Sequence, residues 1–476
     1  MRSLNPLQLL PLPLLQNHNI RLLFLQRFIR LAAYGSSTLI LAQFFSALHH
    51  PTALTGLFMT LTLYGDVLIS LLLTLFADRL GRRKILLLGA ALMAMSGVTF
   101  ATASNYWILL LAAIVGVVSP AGNEIGPFKA IEESVTAQIV DPAGHTEVFA
   151  WYTLVGALGS ALGSVVCGWV VWWIMDGGVE AERAYRVIFW AYAVMGVVKM
   201  GLAWGLTEEC EVSGGDSSQR AVERERLLEE DGKEKRWRVL ELLLPKMSKE
   251  SLSILWKLCL LFSIDSLASG LAAPSWMTYY FTTKHSLPPS TLGTLFLFTS
   301  LASASSSLLA IPIAARLGLI RTMVYTHLPA AVMLMLIPLP PGTDAGTAVA
   351  MSLLVVRSLV ASMDQAPRTA FLAAVMLPQE RTAVMGVVNT VKTFSQAAGP
   401  VVTGWAGGHG AMGAAFSVAG FLKVTYDLGL LTWFLRGGSA ARGGEGYSVI
   451  SGEEQDGAEM VDVETSESEE GEAGRR

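Results

Sequence analysis

Residues 77–84 read Ala77-Asp78-Arg79-Leu80-Gly81-Arg82-Arg83-Lys84, a charged string set between two apolar runs at about 54–77 and 84–104. A degenerate copy, Ala314-Ala315-Arg316-Leu317-Gly318, stands 237 residues further on, again directly after an apolar run. Other matches keep the same order and nearly the same offset. Glu124-x-x-Pro127 pairs with Asp364-x-x-Pro367, Pro142 and Thr146 with Pro378 and Thr382, Gly168-Trp169 with Gly404-Trp405, and Gly35 with Gly270. One such match is chance; five in register mark a chain built from two parallel repeats.

The material around these strings is apolar in blocks. They run at about 22–46, 54–77, 84–104, 106–125, 147–175 and 185–206, then 252–281, 290–315, 319–339, 346–364, 382–407 and 412–436. Most approach the ~20 residues a helix needs to cross a hydrocarbon core of about 30 Å. Only 15% of the 476 residues are charged and 52% are hydrophobic, where a soluble domain carries about 25% charge; the mean hydropathy is +0.50. The expected fold is therefore all-α and membrane-embedded, with twelve transmembrane helices in two six-helix pseudo-repeat bundles. The expected segments are an N-terminus 1–21, a bundle 22–206, a linker 207–251, a bundle 252–436 and an acidic tail 437–476. The tail is Gly/Glu/Ser-rich and predicts disorder. Within the linker, Trp237–Leu244 predicts a short amphipathic helix on the membrane surface.

Lys and Arg gather in alternate loops: Arg79, Arg82, Arg83 and Lys84; the linker; Arg316 and Arg321; Arg368 and Arg381. The intervening loops carry only Arg183, Arg186 and Lys284. Positive loops stay in the cytoplasm, which places both termini there. The choice between a plasma membrane and a vacuolar or lysosomal one is not written in these features. Cys167, Cys210 and Cys259 have no CxxC or Cys/His spacing, and no HExxH pattern occurs, so neither a metal nor any other cofactor is expected. No basic face with interleaved aromatics points to nucleic acid. The expected partners are the bilayer, a small-molecule solute and protons, with the chain a monomer.

Asp78-Arg79-Leu80-Gly81-Arg82-Arg83-Lys84, placed between the second and third spans, resembles the loop motif of the major facilitator superfamily. Span number, the polar mid-chain linker and the copy after span 8 agree over about 22–436. The resemblance implies twelve helices that rock about a central cavity lined by spans 1, 4, 7 and 10. It also implies a gating role for the loop: Asp78 and Arg79 latch the end of span 11, with Gly81, Arg82 and Arg83 completing the motif. Plain positive-inside topology accounts for Arg82, Arg83 and Lys84 equally well, less so for an acid such as Asp78. Thr74 stands where the family motif begins with glycine, and the glycine-proline signature of drug antiporters is absent from span 5.

Charges inside the spans are the candidate pathway residues, because each costs about 2.5–3.5 kcal/mol at a helix centre. They are Arg30, Asp66, Asp265, Arg357 and Lys392, with Glu124 and Asp364 as a helix-end network. Arg30 and Asp265 occupy equivalent repeat positions with opposite sign, and are expected to face each other across the pseudo-two-fold axis. Asp265 is read as the proton-exchanging carboxylate, against a plain buried salt bridge. Lys199, and Lys423 with Asp427, fall on spans expected to be peripheral, the latter two as an i,i+4 pair. The function expected is secondary transport of a small polar or anionic solute by alternating access, coupled to protons. The alternative is a transport-incompetent receptor on the same scaffold. An enzyme lacks support, since no nucleophile–base pair lies on the spans.

Overall fold

The computed structural model describes residues 17–116, 118, 127–141, 144–211, 249–375 and 381–435. Glu124, the linker segment Trp237–Leu244 and the acidic tail lie outside the described residues, and the side chains of Asp78 and Arg79 lie outside the described side chains. Among the described residues the chain is helical throughout, with no strand.

The first half comprises α1 (His18–Ala47), α2 (Thr52–Leu80), α3 (Arg82–Thr102), α4 (Tyr106–Gly116), α5 (Pro127–Ile139), α6 (His145–Asp176) and α7 (Ala181–Trp204), then a 3-10 turn, Glu208–Cys210. The second comprises α8 (Lys249–Leu271), α9 (Pro274–His285), α10 (Pro289–Leu317), α11 (Leu319–Leu336), α12 (Asp344–Ala361), α13 (Gln365–Val375), α14 (Arg381–Gly408) and α15 (Met412–Leu430), closed by a π-helical turn, Leu431–Leu435. Nine of the described helical segments are long and apolar enough to cross a membrane, α8 and α9 counting together as one. These nine are compatible with twelve spans, for which α4 with α5, α10 and α14 are the remaining described helices.

Trp107, Trp173 and Trp204 are 67%, 72% and 75% exposed, and all lie close to helix ends, as the aromatic belt of a bilayer interface requires. The broken span 7 shows how backbone is satisfied without water. Pro274 opens α9, where its missing N–H is no loss. The Leu271 carbonyl left at the end of α8 accepts from Thr403 Oγ1 at 2.7 Å.

Gly81 and Gly318 end the two Ala-x-Arg-Leu-Gly copies, and both sit in left-handed backbone, φ +89° and +82°. Each ends one long helix and starts the next within a single residue, a bend that a Cβ would strain. The repeated glycine is therefore a backbone requirement in both halves.

Within the halves α1 packs on α6 and α3 on α7, as α8 packs on α14 and α11 on α15. The halves meet along α2–α14 and α6–α10. A Cβ on Gly404 would lie 2.5 Å from the Thr52 carbonyl, and one on Gly168 would lie 2.2 Å from that of Pro289. The repeated Gly-Trp pair thus marks two places where the halves approach closely. Span 2 does pack tightly on span 11 despite Thr74, through Gly56 and Gly404 at the opposite end of α2. Neutral hydrogen bonds complete the seam: Val401 N–H to Thr60 (3.1 Å), Ser275 to the Thr38 carbonyl (3.0 Å), and Trp169 to Thr294 (3.3 Å).

Candidate functional site

The first half buries a cluster built from four helices. Arg30 of α1 donates from Nη2 to Glu132 Oε2 of α5 at 2.7 Å, and Tyr152 of α6 donates to the same oxygen at 2.5 Å. Lys199 Nζ of α7 lies 3.9 Å from Glu132 Oε1. Arg27 lies over the Tyr152 ring at 3.8 Å. Arg30, Glu132 and Lys199 are all almost wholly shielded from solvent, where removing one partner leaves an uncompensated charge.

The second half buries a larger one. Asp265 of α8 accepts from Lys423 Nζ of α15 at 2.7 Å through Oδ1 and from Arg368 Nη1 of α13 at 2.8 Å through Oδ2. Arg368 also holds Asp364, one turn before it. Lys423 donates in addition to Ser269 Oγ at 2.9 Å. His327 of α11 places Nδ1 3.0 Å from both carboxylate oxygens of Asp427 and Nε2 3.6 Å from Asp265 Oδ1.

Sequence register relates the two clusters. Arg30 corresponds to Asp265 in register with Gly35 and Gly270. Glu132 falls against Arg368 at the offset of Pro142 from Pro378, and against Leu372 at that of Pro127 from Pro367, so α5 and α13 correspond as helices. Gly196 packs against Ala94 as Gly420 packs against Ala331, which aligns Lys199 with Lys423. The lysine is common to both halves, whereas acid and arginine have exchanged helices.

A cavity of about 530 Å³ opens beside the second cluster, lined entirely by the second half. Asp265, Asp364, Arg368 and Lys423 reach it already paired. Arg357 of α12 and Lys392 of α14 also line it, and among the described residues neither has a carboxylate within ion-pair distance. The Arg357 Nε is buried without a hydrogen-bond partner, and Lys392 rests 5.4 Å from the Phe262 ring centroid. Serines and amides, among them Ser266, Ser358 and Gln396, complete the wall. Two cations that close no ion pair, on a polar, hydroxyl-rich surface, can hold an anion by charge-assisted hydrogen bonds.

The loop residues form a separate assembly. Glu211, just beyond α7, accepts from the backbone N–H of Arg82 (2.7 Å) and Arg83 (3.1 Å) and so caps α3. The Arg82 guanidinium donates to Gln138 of α5 at 2.7 Å. Cys210 is buried beside this cap, and burial pushes its thiol up to about 11, which keeps it protonated and inert.

Several expectations change. Arg30 does not face Asp265: each closes an ion pair inside its own half, because α5 and α13 supply nearer partners. Lys199 and Lys423 are cluster members rather than peripheral charges, and Lys423 bonds Asp265 instead of the Asp427 four residues away. Asp66 is buried, its Oδ1 without a hydrogen-bond partner among the described residues, and it joins neither cluster nor cavity. Glu132 and His327 escaped sequence reading altogether. Span 4 was expected to stop near 125, but a second helix, α5, follows and carries Glu132 into the interior. The register of Pro142 with Pro378 sets Glu132 against Arg368, but that of the nearer Pro127 with Pro367 sets it against Leu372, so the signal was divided.

A family model described as Major Facilitator Superfamily matches residues 23–400. An uncharacterized membrane protein of Saccharomyces cerevisiae is 35% identical over 428 residues, covering 88% of this chain and 94% of that protein. Among solved structures, the nucleoside transporter NupG shares the fold at a TM-score of 0.64 and 14% identity, over 87% of this chain and 98% of that one. The inward-open xylose transporter XylE from E. coli does so at 0.61 and 14%, over 86% and 95%.

Proposed function

The chain belongs to the major facilitator superfamily, a superfamily of membrane transporters, and from that premise we propose that it moves a small organic anion across the membrane by alternating access. The observation that carries the reading is the pair Arg357 and Lys392 on the wall of a polar cavity, neither closing an ion pair among the described residues. A half-buried cation without an ion-pair partner is costly; an arriving anion removes that cost, so the site is selective for negative charge. Gating belongs to the seam and the loop motif. The halves are sealed at the end that holds Thr52 and Pro289, while the cavity lies towards the end that holds Gly81 and Gly318. With the basic loops in the cytoplasm this is an inward-facing arrangement, and Asp78 and Arg79 are the residues assigned to the latch.

The test is counterflow in proteoliposomes, with unlabelled anion inside and the same labelled anion outside, over a panel of mono- and dicarboxylates and phosphorylated metabolites. Exchange of at least one anion, lost in Arg357→Ala/Lys392→Ala, is the expected result. Exchange confined to neutral or cationic solutes would overturn the anion reading.

A further inference from the structure

The two halves supply an internal control for one side-chain pair. In register with Gly81 and Gly318, His327 of α11 corresponds to Ala90 of α3. In register with Gly196 and Gly420, Asp427 of α15 corresponds to Ala203 of α7. Ala90 and Ala203 are fully buried. The repeat unit therefore packs with two methyl groups where the second half keeps an imidazole and a carboxylate. The fold does not require that pair, and a buried ionisable pair is costly to keep.

We infer that His327 and Asp427 form the proton-carrying site of the second half, loading one proton on imidazole Nε2 when an anion enters the cavity. This rests on the transport reading above. Asp265 is a poorer carrier because Lys423 and Arg368 already occupy both of its oxygens. Nδ1 of His327 donates to Asp427, which fixes the tautomer and leaves the Nε2 lone pair towards Asp265 Oδ1 at 3.6 Å. Protonation forms an Nε2–H bond and turns the imidazole into a cation held between two carboxylates. No existing ion pair has to break.

The groups facing His327 fix the sense of the coupling. They are Asp427, Lys423 and Tyr426 from α15, Asp265 from α8, Arg357 from α12, and Asp364 with Arg368 at α13; Ser303 of α10 and Lys392 of α14 share the cavity wall. The π-helical turn 431–435 brings no titratable side chain. Counting formal charges, Arg357, Arg368, Lys392 and Lys423 exceed Asp265, Asp364 and Asp427 by one while His327 is neutral. A monoanion balances that excess. A second negative charge on the solute is balanced by the proton on His327, so anion and proton favour each other's binding reciprocally. The substrate class is an anion able to carry two charges, moved together with a proton.

The measurement is a pH step applied to proteoliposomes on a solid-supported membrane with no solute present, read as transient charge displacement. The wild-type protein should give a transient that falls about tenfold in His327→Ala/Asp427→Ala, the pair already found in the first half. Asp427→Asn keeps the shape of the site and covers the case in which the double variant does not fold. It should diminish the transient, since the imidazolium loses a carboxylate. An unchanged transient in the double variant or in Asp427→Asn, or loss of the transient through Asp265→Asn alone, overturns the assignment. Failure of the transport reading would show separately, as absent counterflow.

Discussion

Glu132 of α5 and Arg368 of α13 partner the buried charges of spans 1 and 7 with opposite sign: Glu132 receives Arg30 from span 1, and Arg368 reaches Asp265 in span 7. Each half closes the pair with the polarity reversed, so the arrangement demands a pair and not a particular sign.

That equivalence predicts a rescue. Arg30→Asp leaves like charges together beside Glu132 and should cost about 3–5 kcal/mol, as should Glu132→Arg alone. The double variant reproduces the order of the second half and should recover most of the loss. Melting temperature and monodispersity in detergent are the readouts; a double variant as unstable as either single one would refute the equivalence.

Arg357→Ala should separate stability from function. Removing a half-buried cation that closes no ion pair among the described residues relieves part of a desolvation cost, so thermal stability should hold or rise by about 1 kcal/mol, while anion counterflow is lost. A clear drop in melting temperature would mean that Arg357 braces the scaffold.

Gly404→Leu should hold the halves apart at the sealed end, because any Cβ there meets the Thr52 carbonyl. A cysteine at Thr60, buried at the seam, should then react with a membrane-impermeant maleimide about tenfold faster, the response to a population shift of about 1.4 kcal/mol. Equal labelling rates in both backgrounds would place the seal elsewhere.

Glu211→Ala should remove the α3 cap and cost about 1 kcal/mol. Amide exchange should accelerate at Arg82 and Arg83, whose N–H groups the carboxylate holds, and not at the C-terminal end of α3. Uniform acceleration along α3 would show a global effect instead.

The fold was legible because its determinants are local: apolar block length, alternating basic loops, and the glycine that ends each copy of the loop string. The site was only half legible. Asp265, Arg357 and Lys392 announce themselves as charges in apolar runs. Glu132 does not, since α5 reads Pro127-Phe128-Lys129-Ala130-Ile131-Glu132-Glu133, polar enough to pass for a loop. Partner choice was not legible either. Whether Arg30 turns to Asp265 or Glu132, and Lys423 to Asp427 or Asp265, is settled by helix packing, and one-dimensional spacing favoured the wrong neighbour in both cases.

Among the described residues the seam between the halves is joined by glycine contacts and neutral hydrogen bonds, and every ion pair closes within one half. Along that part of the seam, sliding one half over the other separates no opposite charges. Dissolved salt, which screens charges and not dispersion contacts, has nothing to grip there. Any response of the rocking motion to ionic strength therefore falls on the latch assigned to Asp78 and Arg79.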